Sequence, residues 1–163
     1  MIESKLFIEN ILFHLGRSPI TNVITEAHNQ EYEGMLIQLE DTTYRSRLAK
    51  ATPKKKGYFV VFWEKDENNK NQAYSFLESP AKVIISIMDE NLRGQFVFPK
   101  SILLKKGILR SENSKGKMAI RVYPAWEREL NKTAAQTQKW QQKYFVDLTD
   151  DFHKEKLEAL YFN

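Results

Sequence analysis

The chain contains no cysteine, and this absence excludes disulfide bonds, thiolate zinc sites and cysteine nucleophiles together. A reducing cytoplasm is the setting that such a composition favours. Glycine and proline are also scarce, with 6 and 5 residues among 163, so the sequence encodes no long flexible linker. A chain of this length and composition predicts one domain with a core of its own.

The chain also lacks a long hydrophobic run. No stretch approaches the roughly 20 apolar residues that a membrane span requires. Residues 6–15 are largely apolar, but Glu9, Asn10 and His14 interrupt them and no small-residue cleavage site follows. We therefore expect an amphipathic helix there rather than a signal peptide, and we expect neither secretion by this route nor a membrane partner.

Motifs of the common cofactor sites are missing as well. The sequence has no P-loop, no GxGxxG turn, no zincin helix and no Gly-x-Ser-x-Gly elbow. Its three histidines, His14, His28 and His153, are far apart and lack the spacing of metal ligands. We therefore expect no nucleotide cofactor and no metal motif.

What the chain does have is a local excess of positive charge. Residues 45–56, RSRLAKATPKKK, carry six basic side chains and no acidic one, although the net charge of the whole chain is only +4. The aromatic stretch 58–63, YFVVFW, follows at once. Cations that neutralise phosphates beside rings that stack on bases are what DNA or RNA requires. The alternative is a solvated lysine turn between two strands.

A second cationic cluster lies between residues 105 and 121, where Glu112 is the only acid. If the two clusters share a face, they form a groove of positive potential suited to phosphates. If they lie on opposite faces, the idea loses most of its force. The residues predicted to contact nucleic acid are Arg45, Arg47, Lys50, Lys54, Lys55, Lys56, Lys100, Lys117, Arg121 and Trp140.

A polar helix predicted over residues 132–145 carries Trp140 and Tyr144 four positions apart, with lysines close by. This arrangement is compatible with a face that binds nucleic acid. The alternative, which we favour, is that Trp140 and Phe145 form the core-facing stripe of a helix that is otherwise poor in aliphatic residues.

Residue patterns along the chain predict the order helix, several strands, helix, strand, helix. The apolar spacing over 3–15, followed by Gly16, predicts the first helix. The unbroken apolar character of 58–64 predicts a central strand that is buried on both faces. The other expected strands are 33–40, 43–51, 73–76, 82–88, 94–98 and 118–123, and the other expected helices are 101–106, 132–145 and one in the tail.

Because neighbouring strands pair as hairpins, an all-parallel sheet is excluded. We expect an α/β fold with a mixed, partly antiparallel twisted sheet flanked by helices. We also expect a single domain over 1–163, with a helical N-terminal region at 1–30, a core at 31–146 and an acidic helical tail at 147–163.

Five short motifs occur in an order and spacing that resemble the MepB family. They are RLAKATP at 47–53, KGYFV at 56–60 with Trp63, GQFVFPK at 94–100, RVYP at 121–124 with Trp126, and QTQKWQ at 136–141 with Tyr144 and Phe145. The resemblance covers about residues 31–145. It implies a fold similar to restriction-endonuclease-like domains, and it implies nucleic-acid binding without settling catalysis.

Nucleases of that fold hold a divalent metal with an Asp at one strand end and an acid-x-Lys on the next strand. On the strands 82–88 and 94–98, the Asp falls at Asp89 and the Lys at Lys100, but the companion acid is replaced by Phe98. If the strands 33–40, 43–51 and 58–65 are the catalytic three instead, they offer Glu64-Lys65-Asp66, which also lacks the acid-x-Lys order. The possible substitutes for the missing acid are Glu31, Glu33 and Glu64.

We therefore expect a nucleic-acid-binding protein whose metal site is degenerate. One alternative is a Mg²⁺-dependent nuclease. The other is a regulatory protein-interaction module, in which the lysine patch meets an acidic partner.

Overall fold

The computed structural model describes residues 2–163. Four α-helices occur among them, α1 (Glu3–Leu15), α2 (Lys100–Lys105), α3 (Lys132–Gln141) and α4 (Lys154–Phe162). The strands are β1 (Asn22–Thr25), β2 (Met35–Leu39), β3 (Thr42–Leu48), β4 (Lys50–Thr52), β5 (Lys55–Val61), β6 (Trp63–Lys65), β7 (Asn71–Ala73), β8 (Lys82–Asp89), β9 (Leu92–Pro99), β10 (Ala119–Val122) and β11 (Phe145–Asp147). Two 3-10 helices span Ala27–Tyr32 and Gln142–Tyr144.

The main sheet has six strands in the order β1-β2-β3-β8-β9-β11. Strands β3 and β8 run parallel, and every other neighbouring pair in this sheet is antiparallel. A second sheet, β10-β5-β4, is antiparallel throughout, and β6 pairs with β7 in a short hairpin. The predicted fold class, a mixed and partly antiparallel sheet flanked by helices, is confirmed.

The main sheet is covered on both faces. Successive side chains of its central strands point to opposite faces, so each face has its own set of packed residues. One side of β8 and β9 presents Ile84 and Val97 to helices α1 and α4. The other side presents Phe96 and Phe98 to the second sheet, where Val60 is fully buried. The second sheet and α3 therefore cover the face opposite to α1 and α4.

Helix α1 matches its predicted range. Its apolar face packs on the sheet, and Gly16 ends it in the left-handed conformation at φ 70°. The N-terminal end is capped from a distance, because the Glu33 carboxylate accepts hydrogen bonds from the backbone N–H groups of Glu3 and Ser4 at 3.2 and 2.8 Å. Within residues 2–163, neither this helix nor any other is long and apolar enough to cross a membrane.

Strand β5 differs from its prediction. It is not a central strand of the main sheet but the middle strand of the second sheet, and from Tyr58 onward only alternate residues are buried. Tyr58 and Val60 point to the core, whereas Phe59 and Val61 face outward and remain partly exposed. The prediction of burial on both faces was wrong because the outer face is covered only in part, by the 3-10 helix at Ala27–Tyr32.

The helix predicted over residues 132–145 is too long at its C-terminal end. Helix α3 ends at Gln141, and Phe145 belongs to strand β11, which pairs with β9. The Phe145 ring lies so close to Gly94 that a Cβ there would approach the ring to 2.7 Å. This edge-strand packing overrides the local helical pattern. Strand β1, in a segment without a clear sequence pattern, completes the opposite edge of the sheet.

A candidate nucleic-acid interface

The outer face of the second sheet places Lys50, Phe59 and Arg121 in one row. Lys50 of β4 and Arg121 of β10 both lie directly opposite Phe59 of β5. Directly opposed residues of an antiparallel pair share a face. The Arg121 guanidinium carbon accordingly lies 5.6 Å from the centre of the Phe59 ring.

Arg121 is held in place by the adjoining ends of β4 and β5. Its Nη1 donates hydrogen bonds to the Thr52 hydroxyl at 3.0 Å and to the Lys56 carbonyl at 3.1 Å. These bonds fix the guanidinium next to the three lysines 54–56. A residue from the second cationic cluster is thereby joined to the first cluster.

Two cavities meet at Arg121 and Tyr123. One has a volume of about 450 Å³ and is lined by Lys54, Lys55, Lys56 and the segment 129–134. The other has a volume of about 230 Å³ and lies between β10 and α3, where Lys106, Lys117 and Trp140 line it. Both cavities include Arg121 and Tyr123. We call the combined feature the basic groove, and its cations are Lys54, Lys55, Lys56, Lys106, Lys117 and Arg121.

The positive charge of the basic groove is almost unopposed. Among residues 2–163, none of its six cations forms a salt bridge. Glu129 is the only acidic side chain among the described residues that line it. Clefts lined by one sign of charge concentrate counter-ions, so the basic groove favours polyanions.

Trp140 belongs to the core and to the groove at once. Its ring packs 5.5 Å from the Phe98 ring, and the Lys106 ammonium lies 5.4 Å from the Trp140 ring centre in the groove. The predicted core-facing stripe therefore holds for Trp140, while Phe145 reaches the core from β11 instead of from α3.

The two walls of the groove are joined by the fully buried Gln141 of α3. Its side chain accepts a hydrogen bond from the Tyr123 N–H at 2.9 Å and donates one to the Arg121 carbonyl at 3.1 Å. Gln142 donates another to the Tyr123 carbonyl at 3.1 Å. These glutamines satisfy the backbone groups at the end of β10, a role that their sequence pattern did not indicate.

Arg45 and Arg47, in contrast, lie inside the protein. They are 7% and 0% exposed, and both pair with Glu26, at 3.2 and 2.7 Å. Arg47 also donates to the Tyr74 hydroxyl at 2.7 Å and to the Val61 carbonyl at 3.2 Å. This placement corrects the expectation that the two arginines contact phosphates.

Glu26 is ionised within this cluster. Burial acts to raise the pKa of its carboxyl group, but the attraction of Arg47 and Arg45 outweighs that effect and holds the pKa below its ordinary value. The cluster is a structural element of the interior, and it fixes β3 against β5.

The residues predicted for metal-dependent catalysis do not come together. Asp89 lies opposite Leu92 at one end of the β8–β9 hairpin, and Lys100 follows Pro99 at the other end. The two ends are seven residue steps apart along a strand, which amounts to about 24 Å. Asp89 accepts a hydrogen bond from the Tyr58 hydroxyl at 2.7 Å, and Lys100 donates to the Phe76 carbonyl at 3.1 Å.

The possible substitute carboxylates are occupied or distant. Glu64 accepts from Arg110 at 3.0 Å, Glu33 caps α1, and Glu31 is exposed on the 3-10 helix. Phe98 is fully buried in the core. Within residues 2–163, no group of three or more His, Asp or Glu side chains could hold a metal ion. The residues present therefore do not fit a nuclease metal site.

Some residues of the interface were not singled out from the sequence. Tyr32 meets Phe59 edge to face at 6.1 Å, and its ring centre lies 5.0 Å from the Lys50 ammonium. Tyr123 lies over Gly57, whose missing side chain leaves room for the ring. Phe59 and Trp63 lie in the unbroken apolar run 58–63, so no alternation in the sequence distinguished the exposed face of the strand.

The comparisons with known proteins agree with this architecture. The chain has 48% sequence identity to the protein in a crystal structure of MepB, with a TM-score of 0.80 over 91% of this chain and 98% of that one. A bacterial homing endonuclease has 12% identity and a TM-score of 0.46 over 85% of each chain, and likeness at this level supports no conclusion. Among curated proteins, no sequence matches significantly. Since the family model of MepB-like proteins matches residues 26–147, most of the chain, this protein belongs to the MepB-like family.

Proposed function

We propose that this protein binds nucleic acid, as a protein of the cytoplasm, through the basic groove and the outer face of the second sheet. The observation that carries the proposal is the meeting of two cationic clusters at Arg121, although one spans residues 45–56 and the other residues 105–121. Cations that converge on one surface without carboxylate partners suit a ligand with regularly spaced phosphates.

The proposal does not include phosphodiester hydrolysis. Asp89 and Lys100 stand at opposite ends of a hairpin, and the position of the missing acid, Phe98, is packed in the core. A ligand bound in the groove would therefore not contact Asp89 and Lys100 at the same time. The groove therefore binds nucleic acid without a metal centre to act on it.

Fluorescence anisotropy with labelled oligonucleotides tests the proposal. Binding should weaken steeply between roughly 50 and 200 mM salt, because counter-ions are released from the phosphates. In the double variant Lys54→Gln/Lys55→Gln, the slope of log affinity against log salt should fall in magnitude by about 1 to 2. Both lysines are exposed and line the groove, so the fold should not depend on them.

The matched control is the double variant Lys154→Gln/Lys156→Gln on α4, which lies on the opposite side of the main sheet. It removes the same charge and should leave the slope near the wild-type value. Binding that ignores salt, or an equal loss in both double variants, would contradict the proposal. Tighter binding of polyglutamate than of oligonucleotides would favour the protein-interaction module instead.

A further inference from the structure

Aromatic side chains lie on the outer face of β5 and just beyond the ends of β5 and β10. Phe59 stands in the row with Arg121. Tyr123 lies over Gly57, which is two residues before Phe59 in the chain. Trp63 is the first residue of β6. We call Tyr123, Phe59 and Trp63 the aromatic row. All three are partly exposed, and neither core cluster of the described residues contains any of them. The rings are therefore not explained by packing of the interior.

The 3-10 helix at Ala27–Tyr32 supports the aromatic row from the side. Tyr32 contacts Phe59 edge to face, and His28 stacks on Trp63 at 5.5 Å with an angle of 29° between the rings. Asn29, which is buried, donates a hydrogen bond to the Trp63 carbonyl at 3.0 Å. The rings are thus held in place before any ligand arrives, which lowers the entropic cost of binding.

A cation lies over two of the three rings of the aromatic row. Arg121 lies 5.6 Å from the Phe59 ring centre, and the Lys65 ammonium lies 5.3 Å from that of Trp63. Tyr123 borders both cavities of the basic groove. A nucleotide seated here could place its base on a ring and its phosphate on the neighbouring cation. That geometry is the one that single strands use on aromatic platforms.

Duplexes cannot use such a platform. Their base faces are already stacked on one another, so side chains reach only phosphates, sugars and base edges. We infer that the aromatic row stacks on unpaired bases and that the protein therefore prefers single-stranded DNA or RNA to duplex. This inference rests on the proposed function of the basic groove.

The test compares oligothymidylate and oligouridylate of about 20 nucleotides with a duplex of about 20 base pairs in anisotropy titrations. The single strands should bind roughly tenfold more tightly than the duplex at equal salt. The variant Phe59→Leu keeps an apolar contact for Tyr32 but removes the flat ring. It should weaken single-strand binding by roughly tenfold while duplex affinity and the salt slope stay unchanged.

The control is Phe13→Leu, which alters an exposed ring on α1, across the main sheet from the row. It should change neither affinity. A second measurement is intrinsic tryptophan fluorescence, which should be quenched by the single strand, with the quenching reduced in Trp63→Phe. That variant keeps an aromatic face, so its affinity should be retained.

The outcomes separate the two proposals. Equal affinity for both forms, together with a neutral Phe59→Leu, overturns the preference for single strands and leaves binding in the basic groove standing. Absence of binding to either form overturns both. A loss in Phe59→Leu that is equal for single strand and duplex also overturns the stacking role, because it indicates a general change in the surface.

Discussion

Glu26 Oε1 lies 2.7 Å from Arg47 Nη1 in the interior, beside a second arginine, Arg45, that pairs with the same carboxylate. One partly buried acid therefore compensates two buried bases. This ratio makes Glu26 the residue on which the cluster depends, because either guanidinium without it would be a buried and uncompensated charge.

Removal of that carboxylate should destabilise the fold strongly. We expect Glu26→Gln to lower the free energy of unfolding by about 3 kcal/mol or more, the range for a broken buried ion pair. Urea denaturation followed by circular dichroism measures this. Glu31→Gln, at an exposed position of the same 3-10 helix, is the control and should be nearly neutral. Equal stability of the two variants would show that the arginines find other partners.

The same cluster should respond to acid. The folded-state pKa of Glu26 is depressed, so its contribution to stability is present above the unfolded value of about 4.3 and is lost as the pH falls through the folded value. We expect the stability gap between the wild type and Glu26→Gln to shrink as the pH is lowered from about 6 to 3. If the gap stays constant with pH, the pKa of this carboxyl group is the same in the folded and unfolded states.

Gly57 should not tolerate a side chain. A Cβ there would lie 2.8 Å from the Tyr123 ring and 2.9 Å from the Val122 carbonyl, and the residue has φ +81°. We expect Gly57→Ala to cost about 2 to 4 kcal/mol of stability and to displace Tyr123, with weaker oligonucleotide binding as a result. Thermal unfolding and anisotropy measure the two effects.

Gly107 provides the matched control for that substitution. It has a similar φ of +72°, but its Cβ would meet only the Ser114 hydroxyl at 4.0 Å. Gly107→Ala should therefore cost only the backbone strain, about 1 kcal/mol. If both variants lose the same stability, close contact with Tyr123 is not what requires a glycine at 57.

Gln141 should act as the link between the groove walls. Gln141→Leu leaves the Tyr123 N–H and the Arg121 carbonyl without partners, at an expected cost of about 2 kcal/mol. Faster hydrogen exchange of the Tyr123 amide is the specific signature. Gln136→Leu, exposed on the same helix, should leave that amide unchanged. An unaltered exchange rate in Gln141→Leu would refute the link.

Nucleic acid incubated with the protein and Mg²⁺ or Mn²⁺ should stay intact. The reason is the separation of Asp89 from Lys100, about 24 Å along the hairpin. Gel electrophoresis after long incubation checks this expectation. Cleavage that disappears in Asp89→Ala would instead establish the nuclease alternative.

Local patterns in the sequence were enough for several elements. The apolar spacing of α1 and the glycine after it placed that helix to the residue, since both signals act over a few neighbouring positions. The β2–β3 and β8–β9 hairpins followed from runs typical of strands that are joined by short polar turns. The family motif between residues 47 and 145 was also readable without a structure.

What the tertiary structure decided is which cations of the basic segment are exposed. Arg45 and Arg47 belong to the same basic segment as Lys54 and Lys55, yet the first two are buried and the last two are exposed. The physical reason is that a charged side chain enters the interior only where a distant residue neutralises it, and Glu26 does so here. The sequence alone thus determined how many cations the segment carries, whereas the pairing of β10 with β5 decided that Arg121 lies beside its exposed lysines.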